Sequence, residues 1–428
     1  MLPGLQTPIP GPRSLELARR LRAHESHNIT YCSPHFPVFW EKASGANVWD
    51  VDGNRFLDFT SGFGVATAGF GAGFLTEAYA AQSAQLYHAM GDVHPTEHKV
   101  RLCELLSQAT FQRWNAGPGK VMLGSSGFEA VESALKTAFI ATAKPGVLCF
   151  DGGYHGLGYG AVSVTGRHEF RTPFRAQLAD FAHFLPYPDS ATALPDLEKL
   201  IRAAARDHSI GALLAEPVQG RGGEIFPPPG FLPLLRRLAD ELGFLLILDE
   251  IYTGFFRTGT FFACEKSGTV PDLICLGKAL SGSFPISACV GRAAIMDAWP
   301  VSEGEALHTS TFLGHPVGCR LAVASLEHWL NHPPTAELRN LESALQQMTN
   351  LVKKNKSSVT AVRGAGLMWG LELSGNNATG RIMEQGLARG AILLGGGQNN
   401  NVLSLGPNLQ LASGEVDWLG KLLCELLD

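Results

Sequence analysis

Two short runs of the chain end in residues that apolar surroundings seldom hold. FLLILDE (244–250) finishes on Asp249-Glu250, and LICLGKA (273–279) places Lys278 after four apolar residues and a glycine, 29 residues beyond Asp249. A carboxylate in such a place is costly to bury unless something pairs with it. Lysine is almost never fully buried without a partner. A desolvated lysine loses proton affinity and becomes an amine nucleophile for carbonyls, the setting for a Schiff base. Upstream, VMLG (121–124) runs into Ser125-Ser126-Gly127-Phe128-Glu129. A Gly/Ser turn that opens a helix offers backbone N–H groups and the positive end of the helix dipole to a phosphate. Each feature alone has a plainer explanation. Serine is a common helix cap, one of the paired carboxylates can cap a turn or meet Arg257, and a single lysine is usually solvated.

These groups act together only if the fold brings them to one place. VMLG (121–124), VLCF (147–150), GALLAEP (211–217), FLLILDE, LICL (273–276) and ISACVG (286–291) read as short buried strands, with helical segments between them. Strands apolar on both faces and separated by helices imply a parallel sheet covered on both sides, an α/β fold. In such sheets ligands bind at the carboxyl ends of the strands, which is where the residues above fall. The segment from Gly127 to Ala143 reads as a helix with Phe128, Val131, Leu135, Ala138, Phe139 and Thr142 on its apolar stripe. Asn47–Phe59 reads as a hairpin turning at Asp52-Gly53-Asn54. A Pro/Gly-rich arm covers residues 1–13, and an amphipathic helix starts near Ser14. The reading places an N-terminal arm with part of a small domain at 1–61, a large domain at 62–315, and a C-terminal small domain with a connecting helix at 316–428.

Composition fits a large folded protein and excludes several alternatives. Of 428 residues, 45% are hydrophobic and 17% charged, the reverse of a disordered chain. A net charge of −5 leaves no electrostatic footprint for nucleic acid or an anionic membrane. Glycine stands at 49 residues, about 11% against a usual ~7%, which points to turns and close backbone approaches. The eight cysteines form no C-x-x-C pair, several lie in apolar runs, and no apolar stretch approaches the ~20 residues of a membrane span. The expected location is the cytoplasm. His94 and His98 lack metal-site spacing, so no metal is expected. Gly69-Phe70-Gly71-Ala72-Gly73 lies after no clear strand and is a poor dinucleotide signature.

A phosphate cradle, a buried carboxylate and a buried lysine are together what pyridoxal phosphate requires: an anchor, a partner for its ring nitrogen, and an amine for its aldehyde. The sequence at this point resembles the class III aminotransferases, the ornithine, acetylornithine and 4-aminobutyrate type. The resemblance runs from NVWDVDGNRFLDF to VRGAGLMWGLEL, through SSGFEAVESALK, DGGYHG, LLAEPVQGRGG, LILDEIYTGFFRTGTFFACE…PDLICLGKALSG and HTSTFLGHPVGC. It implies a fold-type I enzyme, with a mostly parallel seven-stranded sheet in its large domain and a smaller α+β domain. It also implies a homodimer with shared active sites, acting on a small amino donor and an oxo-acid such as 2-oxoglutarate or pyruvate. Carried over residue by residue, it makes Lys278 the Schiff-base lysine and Asp249 the partner of the ring N–H. Ser126 with the backbone of Gly127 and Phe128 would hold the phosphate, and Thr311 would reach that of the second subunit. Tyr154 and Ile251 would flank the ring, with His155, Glu216, Gln219 and Tyr252 also at the cofactor. Arg363, Arg221 and Phe63 would meet substrate.

The physical account agrees with these roles. A proton leaves the substrate's carbon easily only if the ring nitrogen stays protonated. A carboxylate about 4 Å away contributes roughly 4 kcal/mol at an effective dielectric near 20, about three pKa units. Four positions depart from the family's pattern: Leu157 for an arginine, Arg221 for a glutamate, Tyr252 for a glutamine and Phe128 for a threonine. With Arg221 in the place of the glutamate that shields Arg363 in relatives, the expectation is that Arg363 stays open to carboxylates or that Arg221 engages a second acidic group. Other readings on the same scaffold are an aminomutase of the glutamate-1-semialdehyde type, an epimerase or a decarboxylase. A catalytically silent scaffold is the reading from another class, and Lys278 with Asp249 at their required spacing argues against it.

Overall fold

The apolar runs form one seven-stranded sheet in the computed structural model, which describes residues 1–427. Its strands are β1 (Gly119–Gly124), β2 (Gly146–Phe150), β3 (Ala182–Leu185), β4 (Ile210–Ala215), β5 (Leu245–Asp249), β6 (Leu273–Leu276) and β7 (Ser287–Arg292), in the order β1-β7-β6-β5-β4-β2-β3. β7 runs antiparallel to both neighbours, and the pairs from β6 across to β3 are parallel. Val147, Cys149, Ala212, Leu214, Ile247 and Leu273 are buried in one apolar cluster that fixes the sheet. β3 has no counterpart among the expected strands. It is short, lies at the sheet edge and is only half-buried over most of its length, so the run AHFL lacks the continuous apolar pattern of its neighbours.

The helix after β1 spans Gly127–Thr142, and the face it buries shares Val131, Ala138 and the partly buried Leu135 with the stripe expected for it but not the two phenylalanines. Ala130, Val131, Ala134 and Ala138 lie against the sheet, whereas Phe128 is 36% and Phe139 54% exposed. Alanines four apart let the helix backbone approach the strands closely, which rotates the large side chains outward.

Two units divide the chain: Gly73–Pro334, which holds this sheet, and Met1–Ala72 with the chain from Thr335 onward. The limits differ from 61/62 and 315/316. The helix Pro316–Asn331 packs on the helices Gly73–Ser83 and Glu97–Ser107 inside the larger unit, so it belongs there rather than to the C-terminal region. In the smaller unit the expected hairpin forms from Asn47–Asp50 and Arg55–Asp58, joined in one sheet by Trp40–Ser44 and Ala391–Ile392. Its second sheet orders Val359–Ala365, Met368–Leu373, Val402–Leu405 and Leu394–Gly396. The N-terminal arm lies on the hairpin, where Gly4 and Arg55 exchange backbone hydrogen bonds, and the helix that follows it spans Pro12–His24.

Candidate active site

The carboxyl ends of five parallel strands deliver polar residues to one cavity of about 440 Å³ in the larger unit. Asp249 ends β5, Lys278 follows β6, Glu216 follows β4, Tyr154 and His155 follow β2, and Gly127 and Phe128 open the helix after β1. Asp249 is buried and fully engaged. His155 Nδ1 lies 2.8 Å from its Oδ2, and the Ile251 N–H donates to its Oδ1 at 3.1 Å. Burial pulls the imidazole of His155 down, but the hydrogen bond and charge of Asp249 outweigh it and hold the ring above its ordinary value. Glu250, next in sequence, does structural work. It accepts from Thr253 Oγ1 and from the N–H groups of Ala263 and Cys264, and so pins the loop that follows.

Lys278 sits beyond Gly277 with a φ of +43°, left-handed backbone that a non-glycine residue adopts at a cost of order 1–3 kcal/mol. Its ammonium lies 5.0 Å from the centroid of the Tyr252 ring. Burial lowers its pKa; Asp249 and Glu216 oppose that change, and Arg221 and Arg257 add to it. The Tyr252 hydroxyl points to Glu224 Oε1 at 3.5 Å, so the group that replaces the family's glutamine is turned aside. Its ring lies where a side chain at Gly220 would stand: a Cβ there would come within 2.4 Å of it.

At the helix start, the Glu129 carboxylate accepts from the N–H groups of Ser125 (2.5 Å) and Ser126 (2.8 Å) and fixes the turn. The spacing Ser126-x-x-Glu129 is a capping-box pattern, a legible signal that the sequence reading passed over. Ser126 Oγ is buried with no hydrogen-bond partner. The first N–H groups of a helix likewise have none within it. An orphaned hydroxyl beside a helix N-terminus, a half-buried amine in the cavity and a buried carboxylate fit the phosphate, aldehyde and ring nitrogen of pyridoxal phosphate.

Not every expected site residue lies in this cavity. Gln219 is buried behind it, donating to the Asp151 carbonyl at 2.8 Å with its own Oε1 unpartnered. Thr311 is exposed on the larger unit. Phe63 and Arg363 belong to the smaller unit. Phe63 is 60% exposed, with a φ of +63° inside the turn Ser61–Gly64. Contrary to the expectation drawn from Arg221, Arg363 is not open: its Nη1 lies 2.6 Å from Glu372 Oε2. The register explains why. Ala361 faces Glu372 and Arg363 faces Gly370, so Arg363 and Glu372 are diagonal neighbours on one face of the hairpin.

Glu216 supplies a pH signature. It accepts from the N–H groups of Tyr154 (2.8 Å) and Gly220 (3.0 Å), and burial raises its pKa from 4.5 to about 7; His155 and the two N–H groups oppose the rise and Asp249 adds to it. The folded state therefore holds this proton more tightly than the unfolded chain. That stability is complete below pH 4.5 and is lost as pH rises through about 7. At 1.36 kcal/mol per unit the loss is at most roughly 3 kcal/mol. Denaturant unfolding across that range should show the wild type losing stability relative to Glu216→Gln, which cannot titrate. Parallel curves for the two proteins contradict the assignment.

The family model for aminotransferase class-III matches residues 30–427. A 4-aminobutyrate aminotransferase of Mycobacterium leprae is 34% identical over 436 aligned positions, covering 95% of this chain and 94% of that protein. An acetylornithine aminotransferase of Methanopyrus kandleri is 36% identical over 349 positions, 81% of this chain and 83% of that one. Among solved structures, an amine transaminase from an uncultivated Pseudomonas species in its PLP-bound form superposes with a TM-score of 0.84 at 29% identity, over 94% of this chain and 98% of that one.

Proposed function

We infer the details of the reaction from one premise: the chain belongs to the class-III aminotransferases. It is a pyridoxal-phosphate-dependent aminotransferase. We propose that it takes an amino group from an amino acid or ω-amino compound and passes it, in a second half-reaction, to an oxo-acid such as 2-oxoglutarate or pyruvate. The observation that carries this reading is the juxtaposition in one cavity of half-buried Lys278 and buried Asp249.

Pyridoxal phosphate, when bound, supplies a carbonyl for the amino group and a protonated ring that draws off the electrons left when the substrate's C–H bond breaks. The chain's own residues do the rest. Asp249, held on both oxygens by His155 and the Ile251 N–H, presents a fixed charge that would keep a proton on the ring nitrogen. Lys278 Nζ, drawn toward its neutral form by burial, takes the substrate's proton and returns it. Ser126 Oγ and the N–H groups of Gly127 and Phe128 would hold the phosphate. Tyr154 and Ile251, both lining the cavity, would flank the ring, and Arg363, once released from Glu372, would take a substrate carboxylate.

The active unit is a homodimer in this reading, with Thr311 reaching the second copy's phosphate. Supporting it, Tyr87, Met90, Val93 and Phe312 are all exposed, and the His88 and Phe312 rings, 5.5 Å apart, join the two segments into one apolar patch. A cytoplasmic location fits eight free cysteines. Among the described residues no helix is long and apolar enough to cross a membrane.

A half-reaction screen tests the reading. Amino compounds added singly should convert the cofactor's spectrum to that of its aminated form, and an oxo-acid should restore it. Failure of every amino acid and ω-amino compound to shift the spectrum of cofactor-loaded protein contradicts transamination.

A further inference from the structure

Arg221 departs from the family's pattern, and the structure gives it a built setting. It lies in a tight loop in which Gln219 and Ile225 exchange both backbone hydrogen bonds, at 3.1 and 2.9 Å. The turn closes at Gly223, whose φ of +115° only glycine adopts readily. Arg167, itself 5% exposed, donates Nη1 to the Arg221 carbonyl at 2.6 Å. The backbone of Arg221 is thus fixed, while its side chain is exposed and lines the same cavity as Lys278.

Its guanidinium lies over two aromatic rings, 4.8 Å from the Tyr154 centroid and 5.6 Å from that of Phe170. Stacking on an aromatic face steadies the cation but leaves the in-plane N–H donors free, the edge that meets a carboxylate through two hydrogen bonds. The cavity's own carboxylates are committed elsewhere: Glu216 to the N–H groups of Tyr154 and Gly220, Asp249 to His155 and the Ile251 N–H. Among the described residues no carboxylate pairs with Arg221. Its charge and its donors are left for a ligand.

We propose that Arg221 is a specificity-determining residue that binds the carboxylate of an aliphatic amino substrate and repels substrates carrying an ammonium in its place. The proposal rests on the aminotransferase reading above. It makes anionic amino compounds preferred donors and diamines poor ones. Phe128 and Leu157, both exposed at the cavity, supply apolar surface for the intervening chain.

Three amines of one chain length separate the charges: 4-aminobutyrate, butylamine and 1,4-diaminobutane. Half-reaction rate constants in wild type should fall in that order. Arg221→Gln should reduce the ratio of 4-aminobutyrate to butylamine about 10-fold or more, the low end for a charge-assisted hydrogen bond. Arg221→Glu should place the diamine first. Binding of unreactive butyrate, followed as a perturbation of the cofactor's visible absorbance, should weaken by a similar factor in Arg221→Gln, with Arg221→Lys between the two because an ammonium lacks the fork. If all variants convert butylamine, but the ratio and the butyrate affinity stay within about twofold of wild type, the proposal is overturned while the aminotransferase reading stands. A wild-type chain that takes up no pyridoxal phosphate overturns both.

Discussion

Lys278→Ala should lose the covalent link to pyridoxal phosphate and at least about 10²-fold of turnover, the low end for a positioned acid–base group. Nothing else in the cavity can stand in for it. Lys278 is the half-buried amine that follows β6, and its left-handed backbone and the Tyr252 ring hold it in one place. Burial, which lowers its proton affinity, suits it to the proposed roles of nucleophile and base. The turn at Ser126, proposed to hold the phosphate, is untouched by the substitution, so the variant should still take up the cofactor without a covalent bond. Absorbance spectra and steady-state rates measure both effects. A variant that keeps the wild-type spectrum and rate removes Lys278 from the chemistry.

Asp249→Asn should bind cofactor and lose turnover by about 10²- to 10³-fold. An amide is nearly isosteric and can still accept from the Ile251 N–H, but it carries no charge to hold the ring nitrogen's proton. The upper figure corresponds to roughly 4 kcal/mol for a carboxylate close to that nitrogen. The substitution should also be visible at His155. Its imidazole lies above its ordinary value because Asp249 outweighs the effect of burial, so removal of the charge should lower the pKa read by NMR. Near-normal kcat together with an unchanged His155 titration makes Asp249 a structural carboxylate.

How legible these features were depended on how local their causes are. Asp249 and Lys278 stood out because a charged residue that ends an apolar strand is rare and costly, a conflict visible in one short run of sequence. The strands of the sheet were legible for the same reason, except β3, whose half-buried edge position leaves no continuous apolar run. The helix Gly127–Thr142 was placed correctly and its buried face only in part: periodicity favours large apolar residues, and here close packing added Ala130 and Ala134 and left Phe128 and Phe139 exposed. Glu372 was missed as the partner of Arg363 because the contact depends on hairpin register rather than on spacing along the chain. Arg167, which fixes the backbone of Arg221 from an irregular segment 54 residues away, has no periodic or motif signal at all.

The most direct test of the central claim reads the lysine itself. Protein loaded with pyridoxal phosphate is reduced with borohydride, digested, and each peptide weighed. The account predicts one modified peptide, with the pyridoxyl group on Lys278, and none from Lys278→Ala. Modification spread over surface lysines, or confined to a lysine other than Lys278, contradicts it.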